Sequence, residues 1–319
     1  MKQQDFESKY NILWDALEQA FETSKIHDLA DFPQNYRQIC HHLAIAKHRR
    51  YSTYLIDRLN QLALKCHYHL YRHNPRFNHQ WLKFIAFEFP HTLRENARYI
   101  WTSIALFLIP GLLMFLLCLL NGEMIYSIMP AEHIRELENM YDPAARVLGR
   151  ARESETDLMM FGYYIKNNIG ISFQTFAGGM LFGLGSVFFM FYNGLVIGAT
   201  AGHITNLNYI DTFYPFVVGH GAFELIAIIF SGAAGLRIGF SLIAPGPCSR
   251  INALQISSRS AIKIIYGSTI MLLIAAFLEA FWSSNTDIPI IIKYSVGAIF
   301  WLTLILYFLT AGRPKKIES

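Results

Sequence analysis

From residue 99 to residue 309 the chain is a succession of apolar stretches, each about as long as a bilayer interior is thick. An α-helix rises about 1.5 Å per residue, so ~20 apolar residues cross the roughly 30 Å of hydrocarbon. Residues 99–120, 212–243, 262–282 and 288–309 all meet that length. Residues 169–203 are apolar as well, but one straight helix of that length would run about 50 Å, too long for a single crossing. Lipid offers the backbone no hydrogen-bond partners, so such segments must close their own backbone bonds. Helices of this length therefore predict an all-α, polytopic membrane bundle. Charge agrees: the last 153 residues carry only eight Lys+Arg and five Asp+Glu. The whole chain is 16% charged, against about 25% for a soluble protein. That excludes a fully soluble protein, a disordered one, and a nucleic-acid binder built on a basic surface.

Residues 1–95 read as a separate, soluble helical module on the cytoplasmic side. The opening KQQDFESKY is polar, which predicts no signal peptide. Phe6, Tyr10, Leu13, Trp14, Leu17 and Phe21 recur at intervals of three and four, one face of an amphipathic helix. Asp31-Phe32-Pro33 marks the start of a second helix and His73-Asn74-Pro75-Arg76 the end of a third. Residues 81–87 are aromatic enough to lie on a membrane surface. Nine of the 12 histidines fall within residues 1–91, but none has the spacing of a zinc module. Cys40, Cys66, Cys118 and Cys248 form no CxxC pair and read as free thiols.

The remainder, residues 96–319, forms the transmembrane domain, with residues 121–166 as an acidic extracytoplasmic loop. Three basic regions prefer the cytoplasm: the N-terminal module, residues 245–263, and the Gly312-Arg313-Pro314-Lys315-Lys316 tail. Five simple crossings cannot place all three there, whereas six can. The sixth arises if residues 169–203 enter and leave on the outer side, as two short helices or a re-entrant hairpin breaking near Tyr192-Asn193-Gly194. Pro110-Gly111 in the first span predicts a kink.

Polar side chains inside spans are costly and so become functional candidates. His220 and Glu224 are one helical turn apart on one face, and Arg237 follows at nearly the same helical angle, about 20 Å further on. Glu279 lies near the end of the next span, and Asn167, Asn168 and Asn193 add amides. The pair reads as hydrogen-bonded helix register in a tightly packed centre, or as part of a proton or ion path. A catalytic zinc site would need a third ligand from His203 or Glu279, and no HExxH is present. No GxSxG and no phosphate-cradling glycine motif occurs either. No metal, cofactor or catalytic residue is therefore expected. Gly178, Gly179, Gly183, Gly194, Gly198, Gly235 and Gly239 fall in small-xxx-small patterns that let helix backbones approach closely.

Six phrases together carry a family resemblance: MFGYYIKNN (160–168), FAGGMLFGLG (176–185), NGLVIGATAG (193–202), HGAFELIAIIFSGAAGLRIG (220–239), APGPCSR (244–250) and LEAFWSS (278–284). They resemble the stage II sporulation protein M family, in the form with an N-terminal helical module found in Gram-negative members. The resemblance implies a multi-pass protein of the bacterial inner membrane. It implies as partners the lipid bilayer and other membrane proteins, an AAA+ ATPase-linked assembly among them; the small-xxx-small patterns leave open either internal packing or a homo-oligomer. Nucleic acid is not among the partners. The leading expectation is a non-catalytic scaffold of an envelope assembly. The alternatives are a transporter or channel-like protein using His220 and Glu224, and an intramembrane hydrolase.

Overall fold

The computed structural model describes residues 2–22, 31–71, 76–144 and 154–313. Three sequence features fall outside them: the His73-Asn74-Pro75 helix stop, residues 145–153 of the polar loop, and the tail beyond Arg313. Among the described residues there are twelve α-helices and no strand. The chain divides into two compact units, Met1–Gln80 and Trp81–Ser319.

The first unit is built on α1 (Gln3–Glu22), α2 (Phe32–His48) and α3 (Thr53–Tyr71). The periodic face of α1 is its core face: Phe6, Trp14 and Leu17 are fully buried against Ile39, Leu55, Leu59 and Leu62. Within that core Trp14 Nε1 donates to His42 Nδ1 at 3.1 Å. At the edge, Arg58 on α3 clamps α1 by donating to Asp15, Glu18 and Asn11 at 2.6–2.7 Å. Burial pushes the Cys66 thiol up to about 11. Asp31 holds the N-cap position of α2, but its backbone is left-handed and its side chain makes no capping bond.

Helix α4 (Arg76–Lys83) crosses the division between the units. A π-helical turn over Phe84–Glu88 and α5 (Phe89–Glu95) follow. These residues, expected from sequence to belong with the first module, pack in the second unit. Phe89 packs edge-to-face against Phe230 and Phe308, and Glu88 pairs with Lys263 at 3.2 Å.

The bundle comprises α6 (Ala97–Leu120), α8 (Ser154–Ala177), α9 (Leu184–Asn206), α10 (Ile210–Ile243), α11 (Arg250–Phe277) and α12 (Ile290–Thr310), with the surface helix α7 (Ala131–Tyr141) preceding α8. Five of them are long and apolar enough to cross a membrane: α6, α9, α10, α11 with its continuation to Ser283, and α12. α8 matches α6 in length at 24 residues but is more polar, carrying Asp157, Lys166, Asn167, Asn168 and Gln174. The packing identifies it as a sixth traverse. Phe107, Gly111 and Phe115 of α6 meet Gly194, Gly198 and Gly202 of α9 in the same order, so α6 and α9 run parallel. The chain must return between them, and α8 is the returning segment.

Two expectations are corrected here. The break in the glycine-rich stretch lies at Gly178–Gly183, not near Tyr192-Asn193-Gly194. A 3-10 turn over Gly178–Met180 is followed by left-handed backbone at Phe182 and at Gly183 (φ 85°), and that reverses the chain. Asn193 instead lies inside α9, its amide bonded to Phe189 O at 2.7 Å. The arms of the hairpin are full-length helices rather than short ones, so the polar loop ends at α8 rather than at residue 166.

The glycines mark where backbones touch. A Cβ at Gly179 would overlap the Gly235 carbonyl, and one at Gly239 would overlap Gly183. Gly178 meets Gly185 across the turn, Gly194 meets the Phe107 carbonyl, and Gly198 meets that of Gly111. Pro110 sits inside a continuous α6. Most of α10 is buried at the centre, whereas α6 and α12 expose Leu112, Leu113, Leu116, Ile299, Leu302 and Ile305. Such an apolar belt suits lipid.

Candidate functional site

A central helix surrounded by its neighbours is the one place in such a bundle where polar side chains can be kept from lipid. α10 places His220 and Glu224 on successive turns there, with His220 Nε2 3.9 Å from Glu224 Oε2. The third member comes from 55 residues further on. α11 continues into a π-helical turn, Leu278–Ser283, whose extra residue per turn re-aims the side chains it carries. That turn presents both Glu279 and Ser283 to α10. One ligand-type atom each from His220, Glu224 and Glu279 lies within 4.8 Å of the others. Ser283 Oγ is 2.9 Å from His220 Nδ1, and Ser283 is held in turn by Lys293 of α12, whose Nζ donates to the Ser283 carbonyl at 2.8 Å. With a proton on Nδ1 donated to Ser283, the other ring nitrogen is an acceptor on the Glu224 side.

The cluster is incompletely satisfied. Glu279 Oε2 is buried without a hydrogen-bond partner, and so is Asn168 Nδ2. Asn168 is 1% exposed; its Oδ1 accepts from Asn167 at 3.1 Å, and its amide faces Glu279 with a contact too weak to be a hydrogen bond of ordinary geometry. Buried polar groups are rarely left in this state, and each exception asks for an explanation.

The cluster opens onto a cavity of about 830 Å³ walled by α7, α8, α9, α10 and the π turn. Glu224, Glu279 and Asn168 lie at its inner end, and the exposed His133, Glu136 and Asn139 of α7 at its outer end. Glu224 sits about 21 Å along α10 from its first residue, close to mid-bundle. α7 is tied down over this side by side-chain bonds. His203 on α9 contacts Glu138 Oε1 at 2.8 Å and the Gly122 carbonyl at 3.0 Å, and Thr212 donates to the Tyr141 carbonyl at 2.5 Å. Tyr141 borders the same cavity. Burial, and then the neighbouring Glu279 carboxylate, hold its phenol above the usual range.

The structure therefore brings together His220, Glu224, Glu279, Asn167 and Asn168, and leaves Asn193 out. Of the two third ligands that sequence offered, Glu279 joins the pair and His203 does not. Arg237 lies at the other end of the bundle, where its guanidinium reaches Asn96 Oδ1. Sequence reasoning missed Ser283 and Lys293. The visible signal for Ser283 was its spacing of four from Glu279. It missed α7 as a wall of the site as well. Among the described residues, the histidines of the first unit assemble no group of three ligands.

Comparison with known proteins fits this architecture. The profile of a domain of unknown function (DUF8413) matches residues 4–72, within the first unit. An uncharacterized protein of Methanocaldococcus jannaschii is 27% identical over 123 residues, covering 38% of this chain and 69% of that protein. No solved structure matches. The profile described as stage II sporulation protein M matches residues 103–284, more than half of the chain and nearly all of the bundle from α6 through the π turn. By that match this multi-pass membrane protein belongs to the stage II sporulation protein M family.

Proposed function

We propose that this protein resides in the bacterial inner membrane with its first unit in the cytoplasm, and that its membrane unit binds or passes a small polar or cationic ligand. One observation carries the reading: a cavity of about 830 Å³ leads from exposed residues of α7 to a buried His/Glu/Glu cluster with unfilled hydrogen-bonding capacity. A purely architectural bundle gains nothing from two carboxylates held near mid-membrane, where a central charged residue costs about 2.5–3.5 kcal/mol on insertion scales. The orientation rests on charge. Arg94, Arg98, Arg250, Arg259 and Lys263 lie at the bundle end that would face the cytoplasm, and α7 with Glu132, Glu136 and Glu138 lies at the other. The cavity then opens to the extracytoplasmic side.

A scaffold role remains a second reading. It is favoured by the compact first unit with its own core, a module suited to docking a cytoplasmic partner such as an ATPase-linked assembly.

Two measurements separate these readings. In a cysteine-free background, Thr200→Cys in the cavity wall should react with a membrane-impermeant maleimide added outside intact cells. A Glu224→Gln chain should reach normal abundance yet fail to complement deletion of its gene. If Thr200→Cys is protected and Glu224→Gln complements fully, the cavity reading is wrong and the scaffold reading gains.

A further inference from the structure

We propose that His220, Glu224 and Glu279 form a binding site for one divalent transition-metal ion, of the zinc or manganese class, with an open coordination face on the cavity. This deepens the ligand-binding reading above and rests on it for the accessible cavity. The first argument is geometric. An ion bonded at about 2.0–2.2 Å in a tetrahedron holds its ligand atoms roughly 3.4 Å apart. The His220 and Glu224 atoms stand at 3.9 Å, and all three ligand atoms lie within 4.8 Å. Binding would need only that difference to be closed by side-chain rotation.

The second argument is electrostatic. Two carboxylates facing each other in a low-dielectric bundle repel, and no Lys or Arg is among the residues lining the cavity beside them. A divalent cation with two carboxylates and a neutral imidazole is a neutral assembly, the form of least cost in a membrane interior.

The third argument comes from a residue beside the three ligands. Asn168, 1% exposed, aims an unpartnered amide nitrogen into the site beside Glu279, whose own Oε2 is unpartnered. An ion drawing Glu279 into its coordination sphere, with a bound water between carboxylate and amide, completes both groups. The outer shell is already in place. Metal-bound histidines donate their second ring nitrogen to a fixed acceptor, and here Nδ1 meets Ser283, itself anchored by Lys293.

Three protein ligands with an open fourth position distinguish sites that bind and exchange an exogenous group from closed structural ones. One imidazole with two carboxylates suits zinc or manganese better than a soft ion that prefers thiolates. The cavity supplies the entry path and room for a water or an oxygen-bearing ligand on the open face.

The test uses the full-length chain, purified in detergent, stripped with chelator and titrated with Zn²⁺ or Mn²⁺ alone, with Mg²⁺ as control. Any weak Zn²⁺ binding by histidines of the first unit is common to every variant, so the readout is the equivalent that differs between chains. The wild type should take up one tight equivalent per chain that Glu279→Gln and Glu224→Gln lack or bind at least tenfold more weakly. It should also melt higher with the ion than without, a shift absent from both variants. Ser283→Ala should retain the equivalent at reduced affinity.

Absence of a tight equivalent from a wild-type chain that is monodisperse and melts cooperatively overturns the proposal. So does equal binding by both variants. A chain that binds no ion, but whose Glu224→Gln variant assembles and fails to complement, overturns the metal site and leaves the cavity reading standing. A tight equivalent in a protein whose Thr200→Cys reacts from outside and whose Glu224→Gln variant complements fully supports the metal site and removes only the passage of a ligand as the protein's essential role.

Discussion

Replacing Gly179 with alanine adds one methyl group at the turn between α8 and α9, where the structure leaves no room for it. The new Cβ would overlap the carbonyl oxygen of Gly235 on α10 and lie 2.7 Å from that residue's Cα and carbonyl carbon. All three are backbone atoms of the central helix, so no side chain can swing aside. Ordinary contact begins near 3.4–4 Å, and the helices must therefore separate by about 1 Å. Overpacking of this kind costs about 1–3 kcal/mol, and the conformational gain of glycine to alanine returns at most ~1 kcal/mol. A shift of about 2–4 °C per kcal/mol places the loss near 4–8 °C for a ~2 kcal/mol effect. Gly162→Ala is the matched control: it lies in α8 with nothing within 4 Å of its Cβ, so it should hold or raise the melting temperature. Both variants would be melted in the same detergent, with membrane abundance measured in parallel. If Gly179→Ala melts at or above the wild type while Gly162→Ala melts below it, the close contact between the turn and α10 does not exist and the hairpin is misplaced.

Residues 1–80 expressed alone should be soluble and helical by circular dichroism, and their stability should depend on pH through His42. Burial, and then the neighbouring His41, lower the His42 pKa, while its Nδ1 must stay unprotonated to accept from Trp14. Protonation therefore favours the unfolded chain. The stabilisation should be complete above pH ~6.5 and fall on further acidification, by at most about 1.4 kcal/mol per pH unit. His42→Gln should flatten that slope in a melting series, and an unchanged slope would remove His42 as the cause. Arg58→Ala in the same fragment should cost on the order of 1 kcal/mol by releasing Asp15, Glu18 and Asn11, with the difference shrinking at high salt. For the whole chain, single cysteines at positions 140 and 208 should label from outside intact cells, and one at 255 only after the membrane is opened. Labelling of 255 from outside would end the six-traverse arrangement.

Much of this was legible in the chain. Segment lengths near 20 apolar residues demand helices, because in lipid the backbone must satisfy itself. The spacing of Phe6, Trp14 and Leu17 specified the buried face of α1, since a helix repeats every 3.6 residues. Gly179, Gly183, Gly235 and Gly239 announced close approach, and their contacts are between backbones. His220 and Glu224 share a face by local geometry alone. Other features needed the folded molecule. Hydropathy passes over α8, because Asp157, Asn167 and Asn168 line a cavity and a composition average cannot register direction. The break falls at Gly183 because the left-handed turn and the contact with Gly239 coincide there; Gly194, equally small, is spent against α6 instead. Glu279 reaches His220 and Glu224 through a π turn and the antiparallel packing of α11 on α10. That convergence of residues 55 apart is a property of helix arrangement, which no local spacing encodes.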